Sequence, residues 1–170
     1  TGMVTAATLL AGKTLFQGYD NWTVEYDMIA PNPGYYETNR GMCVLFNDSS
    51  PVPSQSTYYG FSVGITIKSR KVYAFIGKWD NTLIPTYTYS ENTLTANETY
   101  HIKINCNNGN IDVNVTDTSD NEVIKTNYNF HDSFYRGGYN ARVGTYADWQ
   151  AYEAPLYGTY IGMKNILIDY

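Results

Sequence analysis

The sequence is poor in charged residues, and it contains no run of lysines and arginines. Charged side chains make up 16% of the 170 residues, and the formal net charge is −5 at pH 7. Nucleic acids and anionic membrane surfaces attract clustered positive charge. We therefore expect neither of them as a partner.

Long apolar runs are also missing. No stretch approaches the roughly 20 consecutive apolar residues that a membrane-spanning helix needs, so we expect no membrane insertion. The first residues, Thr1–Leu10, lack the basic leader of a secretory signal peptide. We expect no signal peptide in the given chain.

Only two cysteines are present, Cys43 and Cys106. Two cysteines cannot form a disulfide framework or a four-ligand zinc site. Cys106 shares the apolar face of its segment with Ile102 and Ile104, which favours a buried thiol. A Cys43–Cys106 bridge is the alternative.

Sustained helical periodicity is absent, and alternation of apolar and polar residues takes its place. The clearest case is Tyr58–Trp79, where two alternating segments are separated by the polar pair Ser69-Arg70. This pattern predicts two antiparallel strands joined as a hairpin. We regard this hairpin as the element around which the rest of the chain is organised.

One face of this hairpin is nearly bare of side chains. Gly60, Ser62 and Gly64 lie on it, beside a strand that offers Tyr73 and Phe75. Two interpretations remain open. The bare floor receives a flat, hydroxylated ligand, or the glycines let a neighbouring strand or loop approach closely.

Further alternating segments, separated by turn residues, bring the total to about eleven predicted strands. Besides the hairpin, the clearest of them are Trp22–Met28, Met42–Phe46, Leu83–Tyr89, Tyr100–Cys106, Ile111–Val115, Val123–Phe130, Tyr139–Tyr146 and Tyr160–Asp169. Pro85 restricts its strand to a sheet edge, and Asn108-Gly109 predicts a second tight hairpin. The sequence therefore predicts one all-β domain over residues 1–170, an antiparallel two-sheet β-sandwich. The predicted core contains Trp22, Val24, Phe61, Val63, Ile65, Ile102, Ile104, Ile111 and Val113.

Tyrosine is unusually frequent. The chain has 18 Tyr and 3 Trp residues, and each buried tyrosine hydroxyl needs a hydrogen-bond partner. Many of these rings must therefore lie at or near the surface. Surfaces rich in tyrosine, tryptophan and asparagine are typical of recognition sites.

The order of these segments resembles the concanavalin A-like lectin and glucanase jelly roll, which many carbohydrate-binding modules share. The resemblance covers most of the chain and rests on the strings NWTVEYDM, YYGFSVGI, KVYAFIGK, TYHIKINCNNGNIDVNV, YNARVGTY and IGMKNILIDY. It implies a ligand groove on the concave face of a curved sheet or at the loops along one rim. It also implies a structural calcium near the termini, with Asp169 as a candidate ligand; no other cofactor is expected.

The sequence lacks a complete catalytic motif of the enzymes with this fold. Retaining glycosidases of this type carry three acids on one strand, whereas here Glu25 and Asp27 are followed by Ile29 and Ala30. A two-carboxylate mechanism needs a correctly placed partner. The segment Phe134–Tyr139 only loosely resembles the catalytic strand of jelly-roll polysaccharide lyases. We assign no catalytic residue and interpret Glu25 and Asp27 as a solvated strand face.

We place the candidate glycan-binding residues on loops and strand ends that combine aromatic rings with hydrogen-bonding groups. The long aromatic loop after strand Tyr139–Tyr146 is the strongest candidate, because long loops in compact domains are usually functional or disordered. The candidates are Tyr35, Tyr36, Arg40, Trp79, Asp80, Arg142, Tyr146, Asp148, Trp149 and Tyr152. The concave face around Tyr73, Phe75 and Trp79 is the alternative site.

These features predict a non-catalytic module that binds a polysaccharide or a cell-surface glycan. We expect it to belong to a larger protein or assembly that is extracellular, at a cell surface or on a virion. Two alternatives remain. One is a jelly-roll polysaccharide lyase or glycosidase, and the other is an adhesion or assembly domain of a virion tail or cell-surface protein.

Overall fold

The alternating segments form antiparallel strands in the computed structural model. The structure describes residues 21–33, 38–45, 58–82, 85–129, 142–147 and 162–169. Within these ranges no helix is long and apolar enough to cross a membrane. The strands are β1 (Asn21–Ile29), β2 (Thr38–Leu45), β3 (Tyr58–Lys68), β4 (Lys71–Thr82), β5 (Thr86–Tyr89), β6 (Thr99–Asn107), β7 (Asn110–Thr116), β8 (Glu122–Asn129), β9 (Arg142–Ala147) and β10 (Gly162–Asp169).

The strands form two five-stranded antiparallel sheets. One has the order β10-β1-β6-β7-β8, and we name it the β1 sheet. The other has the order β5-β4-β3-β2-β9, and we name it the β3 sheet. The strand β5 lies at the edge of its sheet, as Pro85 predicts. The predicted all-β sandwich is confirmed.

The core lies between the two sheets and follows the predicted alternation. In β1, the residues Trp22, Val24, Tyr26 and Met28 are buried and the residues between them are only partly buried. The same alternation on β6 and β7 buries Ile102, Ile104, Ile111 and Val113. All nine predicted core residues are buried. Cys106 is also buried and is not part of a disulfide, as the preferred interpretation expects.

Two short turns have the same backbone geometry. The β3–β4 turn places Ser69 and Arg70 at φ values of 50° and 59°, and the β6–β7 turn places Asn108 and Gly109 at 48° and 86°. Two consecutive positive φ values are the signature of the type I′ turn, which matches the twist of a hairpin. Both predicted hairpins are confirmed.

The sequence prediction misplaced one strand boundary. The predicted strand begins at Met42, whereas β2 begins at Thr38. Thr38, Asn39 and Arg40 pair with Ile67, Thr66 and Ile65 of β3. Pairing with a long central strand extends β2 through residues whose polar composition suggests a loop.

Candidate functional site

The outer face of the β3 sheet, which points away from the core, carries aromatic residues at the β4–β5 edge. Residues directly opposite each other on paired strands share a face. Gly64 of β3 is opposite Phe75 of β4, and Phe75 is opposite Tyr89 of β5. The next row runs from Ser62 through Gly77 to Tyr87. The core residues Val63, Ile65 and Ala74 alternate with these rows on the opposite face.

Four of these rings form what we name the tyrosine cluster, which consists of Tyr73, Phe75, Tyr87 and Tyr89. Tyr87 and Tyr89 stack at 6.1 Å between ring centroids, with an interplanar angle of 26°. Phe75 meets Tyr87 edge to face at 5.8 Å, and Tyr73 meets Tyr89 edge to face at 6.5 Å. Phe75 is fully buried, whereas the three tyrosines are half-buried. The cluster therefore presents tyrosine rings to solvent on a buried aromatic base.

Gly77 makes the position of Tyr87 possible. A Cβ added to Gly77 would lie 2.9 Å from Cε1 of Tyr87 and 2.6 Å from Oγ of Ser62. The Tyr87 ring therefore lies over the space that a side chain at position 77 would fill. A glycine in a strand interior often marks such a close approach.

A small pocket opens beside the tyrosine cluster, at the tip of the β3–β4 hairpin. It has a volume of about 170 Å³ and is lined by Lys68, Ser69, Tyr73 and Tyr89. Nζ of Lys68 lies 4.4 Å from the centroid of the Tyr89 ring, within the range of a cation–π interaction. The pocket thus combines aromatic faces with an ammonium group and a hydroxyl.

Of the two interpretations of the bare hairpin face, the structure favours close approach of a neighbouring strand. Gly60, Ser62 and Gly64 are buried. A Cβ added to Gly41 of β2 would collide with the carbonyl oxygen of Val63 and lie 2.7 Å from Cα of Gly64. The glycines here serve the close approach of neighbouring strands, which was the alternative interpretation.

Trp79 and Asp80 do not form the predicted loop site. Both lie within β4, where Trp79 is opposite Gly60 and is only 3% exposed. An indole this deeply buried is not accessible to a ligand in this structure. Asp80 has a side chain that is 63% exposed, and it forms an ion pair of 3.2 Å with Lys78. Trp79 lies on the outer face, but that position does not make it accessible.

Three other predicted residues lie in different rows of the paired strands β2 and β9, at the opposite side of the same sheet. In the pairing of β2 with β9, Arg40 is opposite Ala147, Gly41 is opposite Tyr146, and Leu45 is opposite Arg142. Tyr146 therefore belongs to the backbone row that runs through Gly41 to Gly64. The predicted residues Tyr35, Tyr36, Asp148, Trp149 and Tyr152 lie outside the described residues, so their placement stays a prediction.

Sequence reasoning missed Lys68, Tyr87 and Tyr89 as site residues. The available signal was the strand Thr86–Tyr89, in which two tyrosines alternate with two threonines. An edge strand with tyrosines on one face, beside a strand that presents Tyr73, indicates an aromatic surface. The sequence does not show that β5 pairs with β4 in the register that stacks these rings.

The outer face of the β1 sheet carries a charged network around His101. Nδ1 of His101 lies 2.9 Å from Oδ1 of Asp27, and its Nε2 lies 3.3 Å from Oε2 of Glu25. Nζ of Lys103 lies 2.6 Å from the other oxygen of Glu25. Asn165 donates a 2.6 Å hydrogen bond to Oδ2 of Asp27. The Glu25 and Asp27 side chains are 25% and 19% exposed, so the expected solvated strand face is in fact a half-buried network.

Both carboxyl groups in this network are more acidic than usual. The hydrogen bond from Lys103 and its charge lower the pKa of Glu25 below its ordinary value of 4.5, against the effect of partial burial. Partial burial alone would raise the pKa of Asp27, but hydrogen bonds from His101 and Asn165 outweigh it and hold the pKa below 3.8. Both groups are therefore ionised at neutral pH.

Asp169 lies at the end of β10, opposite Thr23. It lines a polar pocket of about 460 Å³ together with Asn21, Trp22, Thr23, Asn105, Cys106 and Asn107. Among the residues that the structure describes, no group of three or more histidine, cysteine or acidic residues has a geometry that could hold a metal ion. The single carboxylate does not supply the six to eight oxygens that calcium takes, and the calcium site stays a prediction.

Comparison with known proteins finds similarity at the level of structure. No protein-family model and no curated protein matches the chain. Full-length tailspike protein 2 of an Escherichia coli O157:H7 bacteriophage superposes with a TM-score of 0.59 and 15% identity, over 92% of this chain and 20% of the tailspike chain. An alginate lyase from Alteromonas sp. 272 superposes with a TM-score of 0.55 and 8% identity, over 88% of this chain and 71% of the lyase chain. Carbohydrate-binding module CBM66 from Bacillus subtilis superposes with a TM-score of 0.50 and 14% identity, over 89% of this chain and 76% of the module.

This chain has the concanavalin A-like jelly-roll fold. The solved structures that share it include glycosidases, a lyase and a binding module. At these identities the likeness shows the fold alone, and one fold of this kind carries both binding and catalysis.

Proposed function

We propose that this chain is a non-catalytic carbohydrate-binding module and that the tyrosine cluster is a binding surface. The observation that carries the proposal is the half-buried group Tyr73, Tyr87 and Tyr89 beside the pocket at the hairpin tip. The C–H faces of sugar rings are apolar and their rims carry hydroxyls. A site for them therefore combines flat apolar surface with a few hydrogen-bonding groups.

The network around His101 supports binding rather than glycoside hydrolysis. Hydrolysis by two carboxyl groups requires that one of them keep a raised pKa, so that it can donate a proton. Glu25 and Asp27 both have lowered pKa values, and both are held by hydrogen bonds from neighbouring side chains. Neither carboxyl group is suited to act as the acid.

The proposed partner is a polysaccharide or a cell-surface glycan. The chain spans only 20% of the tailspike chain that it resembles. This share favours a module within a larger protein or assembly, and we propose that this assembly is extracellular, at a cell surface or on a virion. An adhesion or assembly role for the same module is the second candidate function.

A second binding region is proposed at the opposite edge of the sheet, around the predicted residues Tyr146, Asp148, Trp149 and Tyr152. β9 ends at Ala147, and Asp148, Trp149 and Tyr152 follow it within the next few positions of the sequence. β5 and β9 are the two edges of a five-stranded sheet. At about 4.8 Å between strands they are about 19 Å apart, which is the length of several sugar rings.

The proposal is tested by isothermal titration of the protein with a panel of neutral and acidic polysaccharides. We expect saturable binding to at least one polysaccharide of the panel, and weaker binding of that polysaccharide by the Tyr89→Ala variant. The matched control is Leu167→Ala, which removes a side chain that is 65% exposed on the β1 sheet. Depolymerisation of any member by the purified protein, or no binding to any member, would contradict the proposal.

A further inference from the structure

Positive charge is concentrated at the tip of the β3–β4 hairpin. Lys68, Arg70 and Lys71 lie within four residues, although the whole chain has 11 lysines and arginines and a net charge of −5. All three residues are exposed. The tip is therefore a local cationic region on an acidic protein.

The two lysines of this tip are placed directly against each other. Lys68 is opposite Lys71 in the β3–β4 pairing, so they share the outer face with Tyr73. Like charges directly opposite each other on paired strands are destabilising. Among the described residues, neither ammonium group lies within ion-pair distance of a carboxylate. The Tyr89 ring stabilises the Lys68 charge by a cation–π contact, but no described carboxylate neutralises either lysine.

The turn between the two lysines is also unfavourable for its residues. Ser69 and Arg70 have φ values of 50° and 59°, a region that L-residues with side chains seldom adopt. The equivalent β6–β7 turn uses Asn108 and Gly109, the residue types that suit this geometry. Sequence choices that oppose folding occur most often at functional sites.

These two features meet at the pocket that adjoins the tyrosine cluster. Lys68, Ser69, Tyr73 and Tyr89 line it. An anionic group bound there would lie against the Lys68 ammonium group and would offset its repulsion from Lys71, which is directly opposite Lys68. A sugar ring attached to that group would extend over the tyrosine rings.

We infer that the module binds an acidic saccharide, whose carboxylate or sulfate is held by Lys68 and Lys71 while its ring stacks on the tyrosine cluster. This inference rests on the proposed function, and it names the ligand class for the same face of the β3 sheet. The overall negative charge of the protein disfavours polyanions elsewhere on its surface. Recognition of the acidic group therefore depends on this one cationic tip.

The test compares saccharides that differ only in charge. Alginate, polygalacturonate and hyaluronan are each paired with their carboxyl-reduced form, and dextran sulfate is paired with dextran. We expect at least one acidic polymer to bind at least about tenfold more tightly than its neutral partner, the scale of one charge-assisted hydrogen bond. Its affinity should fall as salt rises. The pair that responds distinguishes carboxylate from sulfate.

A double variant, Lys68→Gln with Lys71→Gln, assigns the effect to the hairpin tip. It should abolish the preference for the acidic partner and leave the melting temperature nearly unchanged, because removal of the repulsion offsets the loss of the Lys68–Tyr89 cation–π contact. The control Lys125→Gln replaces a lysine of β8, on the other sheet, by the same residue. It should leave the preference for the acidic partner unchanged. Equal binding of acidic and neutral partners, or a preference that survives the double variant, would overturn this inference and leave the proposed function intact. No binding to any polymer would overturn both.

Discussion

The hydroxyl of Tyr26 donates a 2.8 Å hydrogen bond to the carbonyl oxygen of Val63, and this buried bond joins the two sheets across the core. Tyr26 is fully buried in β1, and Val63 lies in the centre of β3. We expect Tyr26→Phe to lower the free energy of unfolding by about 1–3 kcal/mol, because a buried carbonyl loses a donor and the ring volume is kept.

Urea unfolding monitored by tryptophan fluorescence measures this change. Met28→Leu is a suitable control, since Met28 is a buried residue of the same strand and the substitution conserves its volume. If Tyr26→Phe unfolds at the same urea concentration as the parent, the bond between the sheets does not stabilise the sandwich.

Two glycines of the β3 sheet should respond differently to the same substitution. A Cβ on Gly41 meets backbone atoms of Val63 and Gly64, which cannot move without shifting β3. The atoms nearest to a Cβ on Gly77 belong to the side chains of Ser62 and Tyr87. We expect Gly41→Ala to destabilise the fold by about 2 kcal/mol or more, at the upper end of overpacking costs. We expect Gly77→Ala to lower the free energy of unfolding by less than Gly41→Ala does.

The second glycine also tests the binding surface. In Gly77→Ala the Tyr87 ring must move from its place over position 77, and it would no longer stack on Tyr89 as it does here. Gly77→Ala should therefore lose more free energy of saccharide binding than free energy of unfolding. Equal thermal destabilisation by the two alanine variants would show that Tyr87 is not held as described.

The charged network around His101 predicts a pH dependence of stability. Folding lowers the pKa values of Glu25 and Asp27 below 4.5 and 3.8. The unfolded chain therefore binds protons more readily than the folded chain, and stability falls as pH falls through these values. The contribution is complete above about pH 5 and is lost below the folded pKa values.

The double variant Glu25→Gln with Asp27→Asn should show a shallower loss of stability between pH 5 and pH 3 than the parent. Denaturant midpoints measured across this range provide the comparison. Glu122→Gln is the control, because the Glu122 side chain is 56% exposed and its nearest cation, Lys125, is 3.8 Å away. A parent and a double variant with parallel pH profiles would mean that the network does not lower the two pKa values.

The turn between β3 and β4 offers a test of strain against function. Replacing Ser69-Arg70 by Asn-Gly, the sequence of the β6–β7 turn, places suitable residues at both positive φ values. We expect a gain in unfolding free energy of about 1–2 kcal/mol from relief of the left-handed conformation. Loss of the Arg70 charge should at the same time weaken binding of an acidic polymer. A variant that is more stable and binds as well as the parent would mean that Ser69-Arg70 has no role in recognition.

Alternation along the strands was sufficient to predict the sandwich. The positions of Trp22, Val24, Phe61 and Val63 follow from a period of two, and the Asn-Gly pair predicts its hairpin from local geometry alone. The site was harder to predict. Alternation places Trp79 on a face, but it does not show whether that face is accessible, and here the indole is buried. Which rings stack depends on the register between β4 and β5, which no local pattern encodes.

The two proposed binding regions lie at opposite edges of one sheet, so separate substitutions can tell them apart. Tyr89 belongs to β5 and Trp149 follows β9, and about 19 Å of sheet separates these strands. We expect Tyr89→Ala to weaken saccharide binding by about 1–3 kcal/mol, on the scale measured for stacking of bases on aromatic side chains. If a long saccharide crosses the whole face, Trp149→Ala should cost a similar amount for long chains, and little for a disaccharide that occupies only the tyrosine cluster. Melting temperatures should stay nearly unchanged in both variants, because Tyr89 is not part of the core cluster between the sheets and Trp149 is predicted from the sequence to lie in a surface loop. A loss of binding in Trp149→Ala alone would place the site at the β9 edge, and a large fall in the melting temperature with affinity intact would assign Trp149 to the fold.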